Sequence, residues 1–327
     1  MGENCRREKM HKIVIPDDAP PQMKGTKALE QLQEYGEVTA FDTRASSQDE
    51  FIVRMKEAEI VINVRAYSKF TPEVFAGCPV LKCLSILGTG TDQVDLEAAR
   101  KHNVLVTNTP GFAAVAVAEH ALALMLSVAR RICVIDREVR EGAWPRGLMT
   151  QLHGKTLGVI GLGAIGGKLA RLCKGIGMKV VAWTFHPSPQ RAEESGVEFV
   201  ELRDLLQKAD VVSVHVRLSP QTGDLIGNEE LSLMKPTAII INTARGPIIN
   251  PKALVQALTD GTIAGAGLDV FDQEPIAPDD PLLGLNNIVL TPHNAGMTLE
   301  TIEKGAQMAV DNVVNYLQGS PTHVVSQ

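Results

Sequence analysis

The stretch from Thr156 to Gly177, TLGVIGLGAIGGKLARLCKGIG, constrains this chain more than any other. A short apolar run from Thr156 to Ile160 leads into Gly161-Leu-Gly163-Ala164-Ile165-Gly166. Apolar residues then recur at Ile165, Leu169, Leu172, Cys173 and Ile176. Steps of three and four residues lay one stripe along a helix. The reading is strand, glycine turn, helix, with a new strand at Lys179 to Trp183. In that setting each glycine has a job: Gly161 makes the tight turn, Gly163 admits a pyrophosphate to the backbone, and Gly166 lets helix and strand pack closely. Unpaired N–H groups and a positive dipole end at the helix start, around Ala164 and Ile165, suit the phosphates of a dinucleotide.

The 327 residues leave room for about two domains of ~150 residues each. Short apolar strands precede the glycine motif at Lys12–Pro16, Glu37–Phe41, Ile60–Asn63, Lys82–Ile86 and Val104–Val106. Helical segments separate them, the first two over Lys24–Glu34 and Gln48–Glu57. Strands follow the motif at Ala209–His215, Thr237–Ile241, Thr262–Leu268 and Asn287–Leu290, again with helices between. This alternation predicts an α/β protein with two doubly wound parallel sheets, each covered on both faces. The last helix, Leu299 to Leu317, is expected to return to the first domain. That makes the first domain discontinuous, 1–108 with 297–327, around a dinucleotide-binding Rossmann domain at 109–296. Between them Ala113 to Arg130 is the most apolar stretch; it is read as a buried bridging helix that continues to Val139, with Glu119 and His120 as satisfied polar groups inside it. Those two residues interrupt it, and it falls short of the ~20 apolar residues of a membrane span.

Composition removes several classes. A net charge of −6 and 4% aromatic residues give neither the basic face nor the stacking platform of a nucleic-acid binder. Five scattered cysteines, Cys5, Cys78, Cys83, Cys133 and Cys173, lack the spacing of a zinc site or a disulfide framework, and no metal is expected. No apolar signal precedes the first strand, so the cytoplasm is the expected location.

The chemistry falls at strand ends. Arg245 lies in Asn242-Thr-Ala-Arg-Gly246, Glu274 in Asp269-Val-Phe-Asp-Gln-Glu-Pro275, and His293 in Thr291-Pro-His-Asn-Ala295-Gly296. In a parallel sheet these loops open on the same edge as the glycine turn. In the first domain Arg65 and the small residues Gly88, Thr89 and Gly90 also follow strand ends, where backbone amides can hold an anion.

Five segments in this order, GLGAIG, HVRLSPQTGDLIG, LMKPTAIIINTARGPIIN, GLDVFDQEP and TPHNAG, resemble the D-isomer-specific 2-hydroxyacid dehydrogenase family over almost the whole chain, its phosphoglycerate-dehydrogenase-like branch above all. The resemblance implies a flavodoxin-like substrate domain beside the Rossmann domain, with the site in a cleft between them. It implies an NAD(P)-dependent oxidoreductase interconverting a 2-oxo acid and a D-2-hydroxy acid. Arg245 then grips the carboxylate and carbonyl oxygen, His293 is the general acid–base, and Glu274 fixes its tautomer and favours the imidazolium. Hydride transfer is the cofactor's contribution. By the same resemblance Asp269, His215, Thr222, Thr243, Ala244 and Ala295 line the cofactor, Arg65 and Gly88 to Gly90 bind substrate, and the protein is a homodimer.

Three departures follow. Thr184 stands where NAD enzymes of this type carry an Asp, with His186 and Arg191 near enough in sequence to meet a 2′-phosphate; NAD(H) and NADP(H) both stay open. Arg217 replaces the family's usual proline. Glu274 replaces the Gln of formate dehydrogenases, which disfavours formate oxidation. Two other readings share the fold: a cofactor-sensing co-repressor-like scaffold with little turnover, and phosphite-type oxidation.

Overall fold

The computed structural model describes residues 10–326, so Cys5 and the charged segment before Met10 lie outside the described residues. The chain divides into two compact units, Met1–Phe112 with Thr298–Gln327, and Ala113–Met297.

In the first unit strands β1 (His11–Ile15), β2 (Gly36–Ala40), β3 (Ile60–Asn63), β4 (Cys83–Ile86) and β5 (Leu105–Thr107) alternate with helices α1 (Lys27–Leu32), α2 (Gln48–Met55), α3 (Pro72–Gly77) and α4 (Leu96–Lys101). The five strands pair in parallel in the order β2-β1-β3-β4-β5, the flavodoxin-like doubly wound arrangement. Every residue of β3 and β4 is buried, as a sheet covered on both faces requires. One face packs Phe51, Phe70, Phe75 and Leu84; the other packs Ile13, Ile15 and Ile62 against Ala306, Val310 and Val313 of the closing helix, Leu299–Leu317. Helix α1 is shorter than its sequence pattern. The Asp18 carboxylate accepts the N–H groups of Gln22, Met23 and Lys24, which holds that segment in a turn, and Thr26 caps the helix by accepting from Leu29 N.

The second unit begins with α5 (Ala114–Ala129) and α6 (Ile132–Arg140). It continues through β6 (Thr156–Ile160), α7 (Ala164–Gly175), β7 (Lys179–Trp183), α8 (Pro189–Ser195), β8 (Glu198–Phe199), α9 (Leu202–Lys208) and β9 (Val211–Val214). The remainder is α10 (Asn228–Leu233), β10 (Ile239–Asn242), α11 (Pro251–Thr259), β11 (Gly265–Leu268) and β12 (Ile288–Leu290). Its seven parallel strands run β12-β11-β10-β9-β6-β7-β8. From β6 the chain first winds outward to β8, then returns to place β9 on the other side of β6. Strands β6 and β9 therefore flank the switch point, where ligands of open α/β sheets bind.

Three expectations are corrected here. The bridging helix does not run unbroken to Val139: Arg131 takes a left-handed φ of 51°, and α6 starts afresh at Ile132 with no buried residue. Glu119 is exposed rather than enclosed. On α7 the buried side is Gly166, Leu169, Ala170 and Cys173, whereas Leu172 and Ile176 are 36% and 37% exposed. No helix of the described residues is long and apolar enough to cross a membrane. Cys78, Cys83 and Cys173 are buried free thiols and Cys133 an exposed one; burial pushes Cys83 and Cys173 up to about 12, which leaves them unreactive.

Candidate functional site

All strands of the larger sheet are parallel, so its carboxyl-edge loops open together, and the register keeps them level. Ile160 pairs with Val214, Val214 with Asn242, Asn242 with Leu268, and Leu268 with Leu290. The residues that follow these strand ends are Gly161, His215, Thr243, Asp269 and Thr291.

At the first of these ends the three glycines divide their labour. Gly161 sits at φ 97°, and a Cβ there would stand 2.8 Å from the His215 carbonyl carbon. A Cβ on Gly166 would stand 2.3 Å from the Gly161 oxygen, so helix and turn are in direct contact. A Cβ on Gly163 would meet nothing within 4 Å. Two glycines thus serve packing, and the third leaves open space at the start of α7. No side chain caps that start, and Ala164 and Ile165 form its first turn. This is the backbone arrangement that accepts a pyrophosphate.

Two buried polar atoms on the neighbouring loops have no hydrogen-bond partner among the described residues: His215 Nδ1 and Thr243 Oγ1. His215 Nε2 lies 2.8 Å from Ser213 Oγ, and burial pulls the imidazole down to about 4, so the ring is neutral at neutral pH. Such orphaned groups call for a bound partner, and with the open glycine turn they fit a dinucleotide. Ala244 lies half-buried beside Thr243. Thr222 is 2% exposed, and its hydroxyl donates to Arg217 O at 2.6 Å and accepts from Ser219 N, so it braces the loop after β9. Thr184 is half-buried and His186 exposed, both just past β7.

The chemical groups converge at the other strand ends. His293 Nδ1 stands 2.7 Å from Glu274 Oε2, and Glu274 Oε1 accepts the Phe271 N–H at 3.1 Å. Burial pushes the Glu274 carboxyl up, but the hydrogen bond and charge of His293, the Phe271 N–H and the charge of Arg245 outweigh it, and the carboxyl lies below its ordinary value. The backbone of Arg245 is held on both sides by one side chain: Asn242 Nδ2 donates to Arg245 O, and Asn242 Oδ1 accepts from Ala244 N. Its guanidinium Nη1 donates to Ala244 O at 2.9 Å.

Asp269 is 1% exposed, and both its oxygens are taken from within the protein. Oδ1 accepts from Thr291 Oγ1 at 2.6 Å and from Asn294 N at 3.0 Å, and Oδ2 accepts from Ala295 N at 2.9 Å. The carboxylate is thus the hub of the loop that carries His293. His120 extends the same network through Thr291 Oγ1 at 2.9 Å. Asn242, Thr291 and His120 were not singled out from the sequence as supports of the site. The available signal was a histidine in an otherwise apolar helix.

On the first unit, Arg65 Nε and Nη2 and Asn63 Nδ2 are buried without a partner among the described residues, and burial pulls the Arg65 guanidinium below its usual value. The Gly88 N–H is not free for an anion: Thr109 Oγ1 accepts it at 2.8 Å. Thr89 donates its hydroxyl to Thr109 O, and the amides of Thr89 and Gly90 have no acceptor among the described residues.

The profile of the D-isomer specific 2-hydroxyacid dehydrogenase NAD binding domain matches residues 122–295. A glyoxylate reductase of Korarchaeum cryptofilum is 39% identical over 92% of this chain and 93% of its own. A D-3-phosphoglycerate dehydrogenase of Archaeoglobus fulgidus is 40% identical over 84% of this chain and 52% of its own. Among solved structures, the acyclic imino acid reductase Bsp5 in complex with NADPH and D-Arg superposes with a TM-score of 0.86 at 32% identity, over 96% of this chain and 99% of that one. With this sheet topology and glycine turn, the chain belongs to the D-isomer-specific 2-hydroxyacid dehydrogenase family and is an NAD(P)-dependent 2-hydroxyacid oxidoreductase.

Proposed function

We propose that the protein reduces a small 2-oxo acid to the D-2-hydroxy acid with His293 as the acid, Glu274 as its partner and Arg245 as the carboxylate clamp. The observation that carries this is the 2.7 Å contact between His293 Nδ1 and Glu274 Oε2, on the sheet edge that also holds the glycine turn. With Nδ1–H donated to Glu274, Nε2 is the atom that exchanges a proton with the substrate oxygen. Arg245 orients the substrate through the planar fork that a carboxylate fits. When bound, the nicotinamide supplies the hydride. His215 Nδ1, Thr243 Oγ1 and the first turn of α7 are the groups we assign to holding the dinucleotide, the last of them its pyrophosphate. Arg65 and the amides of Thr89 and Gly90 are further anchors for the substrate carboxylate. The named glyoxylate reductase relative favours a short side chain at C3 or none.

Turnover with glyoxylate, hydroxypyruvate, pyruvate and bulky 2-oxo acids tests the reading. Tight cofactor binding without turnover of any of them would instead support a nucleotide-responsive scaffold. We further assign the protein to the cytoplasm as a homodimer. Val115, Ile132, Val139, Trp144 and Leu148 are exposed apolar side chains within one 34-residue stretch, Trp144 at 76% and Leu148 at 101%, and a partner subunit would cover them. Sedimentation at micromolar concentration checks it; a monomer refutes it.

A further inference from the structure

The adenosine end of the proposed cofactor site carries a preference that the family leaves open. Strands β6 and β7 run side by side with Ile160 opposite Trp183, and Gly161 N donates to Trp183 O at 2.8 Å. The glycine turn and the loop after β7 are therefore neighbours, and the ribose next to the adenine lies where they meet. An acidic residue about twenty positions past the glycine motif would hold the ribose hydroxyls of NAD. Thr184 stands there, and no carboxylate occurs from Trp183 to Gln190.

What the structure puts there instead is Arg191. Its Nη2 donates to Leu162 O at 2.9 Å, in the glycine turn, and its Nη1 donates to His186 O at 2.7 Å, in the loop after β7. The guanidinium lies over the Phe199 ring, 5.6 Å from its centre, and the backbone N–H of Arg191 is held by Ser188 Oγ at 3.2 Å. Three anchors fix the group across both loops. A guanidinium has five N–H donors; two are spent on carbonyls, and no carboxylate pairs with the others among the described residues.

We propose that Arg191 is the determinant of cofactor choice, that it binds the 2′-phosphate of NADP(H), and that the protein is NADP(H)-selective. The inference rests on the cofactor site proposed above. A dianionic phosphate takes two parallel donors from a fork already fixed in place, so little ordering is lost on binding. A 2′-hydroxyl gains little from that fork and lacks the carboxylate it would need. Both contrasts favour the phosphorylated ribose.

Calorimetry on the full chain, with NADPH, NADH, 2′,5′-ADP and 5′-ADP as ligands, reads this without turnover. NADPH and 2′,5′-ADP are expected to bind at least about tenfold more tightly than NADH and 5′-ADP. Arg191→Gln should weaken the two 2′-phosphates by about ten- to a hundredfold and the other two by less than about threefold. Arg191→Gln also removes two loop anchors. Thr184→Asp, which leaves Arg191 in place, should therefore independently invert the preference towards NADH. Wild-type protein that binds NADH as tightly as NADPH overturns the proposal and leaves the cofactor site standing. A preference that survives both substitutions overturns the role of Arg191. Failure of all four ligands to bind would overturn the cofactor site itself, and this inference with it.

Discussion

Replacing Glu274 by Gln is the sharpest probe of the acid–base pair. His293 Nδ1 and Glu274 Oε2 are 2.7 Å apart, and the two side chains are 35% and 38% exposed. Unit charges at that spacing attract by about 1.5 kcal/mol in water and about 6 kcal/mol at an effective dielectric constant near 20. With more than a third of the pair in solvent, screening keeps the value near the lower figure. About 1.4 kcal/mol is a tenfold change in rate. The hydrogen bonding points the same way. The carboxylate answers two donors, Phe271 N–H and the His293 ring, and an amide can offer its oxygen to only one of them. In 2-oxo acid reduction the proposed proton donor is the charged ring, which a carboxylate stabilises and an amide does not, so Glu274→Gln should lower kcat/KM about tenfold. The assay is nicotinamide absorbance at saturating cofactor, with thermal unfolding to confirm the fold. An unchanged kcat/KM refutes the pairing.

Other outcomes are equally specific. Gly166→Ala places a methyl 2.3 Å from Gly161 O and 2.9 Å from Val159 Cγ1, and overpacking of about 1–3 kcal/mol should lower Tm by several degrees. Gly163→Ala meets nothing within 4 Å, so Tm should hold while cofactor affinity drops; the reverse pattern would contradict the roles given to these glycines. Arg245→Lys should cut kcat/KM by about thirty- to a hundredfold, since the fork is lost and the charge kept, and a wild-type value would count against carboxylate recognition. His215 is held neutral by burial, down to about 4. Its folded value lies below the unfolded one, so its penalty is absent above pH 6.5 and grows as pH falls towards 4, reaching about 3 kcal/mol. Urea unfolding of His215→Gln against the parent over that range should show a flatter pH dependence; parallel curves would exclude His215 as the source.

Much of this was legible because strand and helix periods differ and because the sheets are covered on both faces. Strands β3, β6 and β7 fall on the residues that the apolar runs marked, and the 19-residue closing helix matches its pattern at both ends. What escaped was set by contacts remote in sequence or by unusual backbone. Nothing in Arg130-Arg131 announces a left-handed residue, since neither is the glycine that such a break favours. Helix α8 did carry a local signal, Ser188-Pro189 at its start and Gly196 at its end, but its seven residues bury none and show no apolar stripe. Strand β8, two residues long, is defined only by its pairing with β7. At the candidate site, residue types pointed to His293, Glu274 and Arg245, which are proposed as acid, partner and clamp, while the supports depend on partners far along the chain. Thr291 is 22 residues from Asp269, and His120 is 171 from Thr291.

The supports explain how an exposed histidine can be held accurately. His293 has φ 52°, a left-handed conformation that costs a non-glycine residue of order 1–2 kcal/mol. The loop does not recoil, because its turn is wrapped on a buried carboxylate. Thr291 donates its hydroxyl to Asp269, Asn294 and Ala295 donate their amides, and Thr291 N is tied to Leu268 O at 2.9 Å. His120 on α5 then restrains the same threonine through its hydroxyl, at 2.9 Å. With donors arriving at both oxygens of Asp269, an asparagine would set its NH2 against one of them, so the position requires a carboxylate. The strain at His293 is thus met by groups that never need to touch the substrate. The ring stays partly in solvent while its Nδ1 is fixed by Glu274 at 2.7 Å, and a side chain held in this way is already ordered for the proton transfer proposed for it.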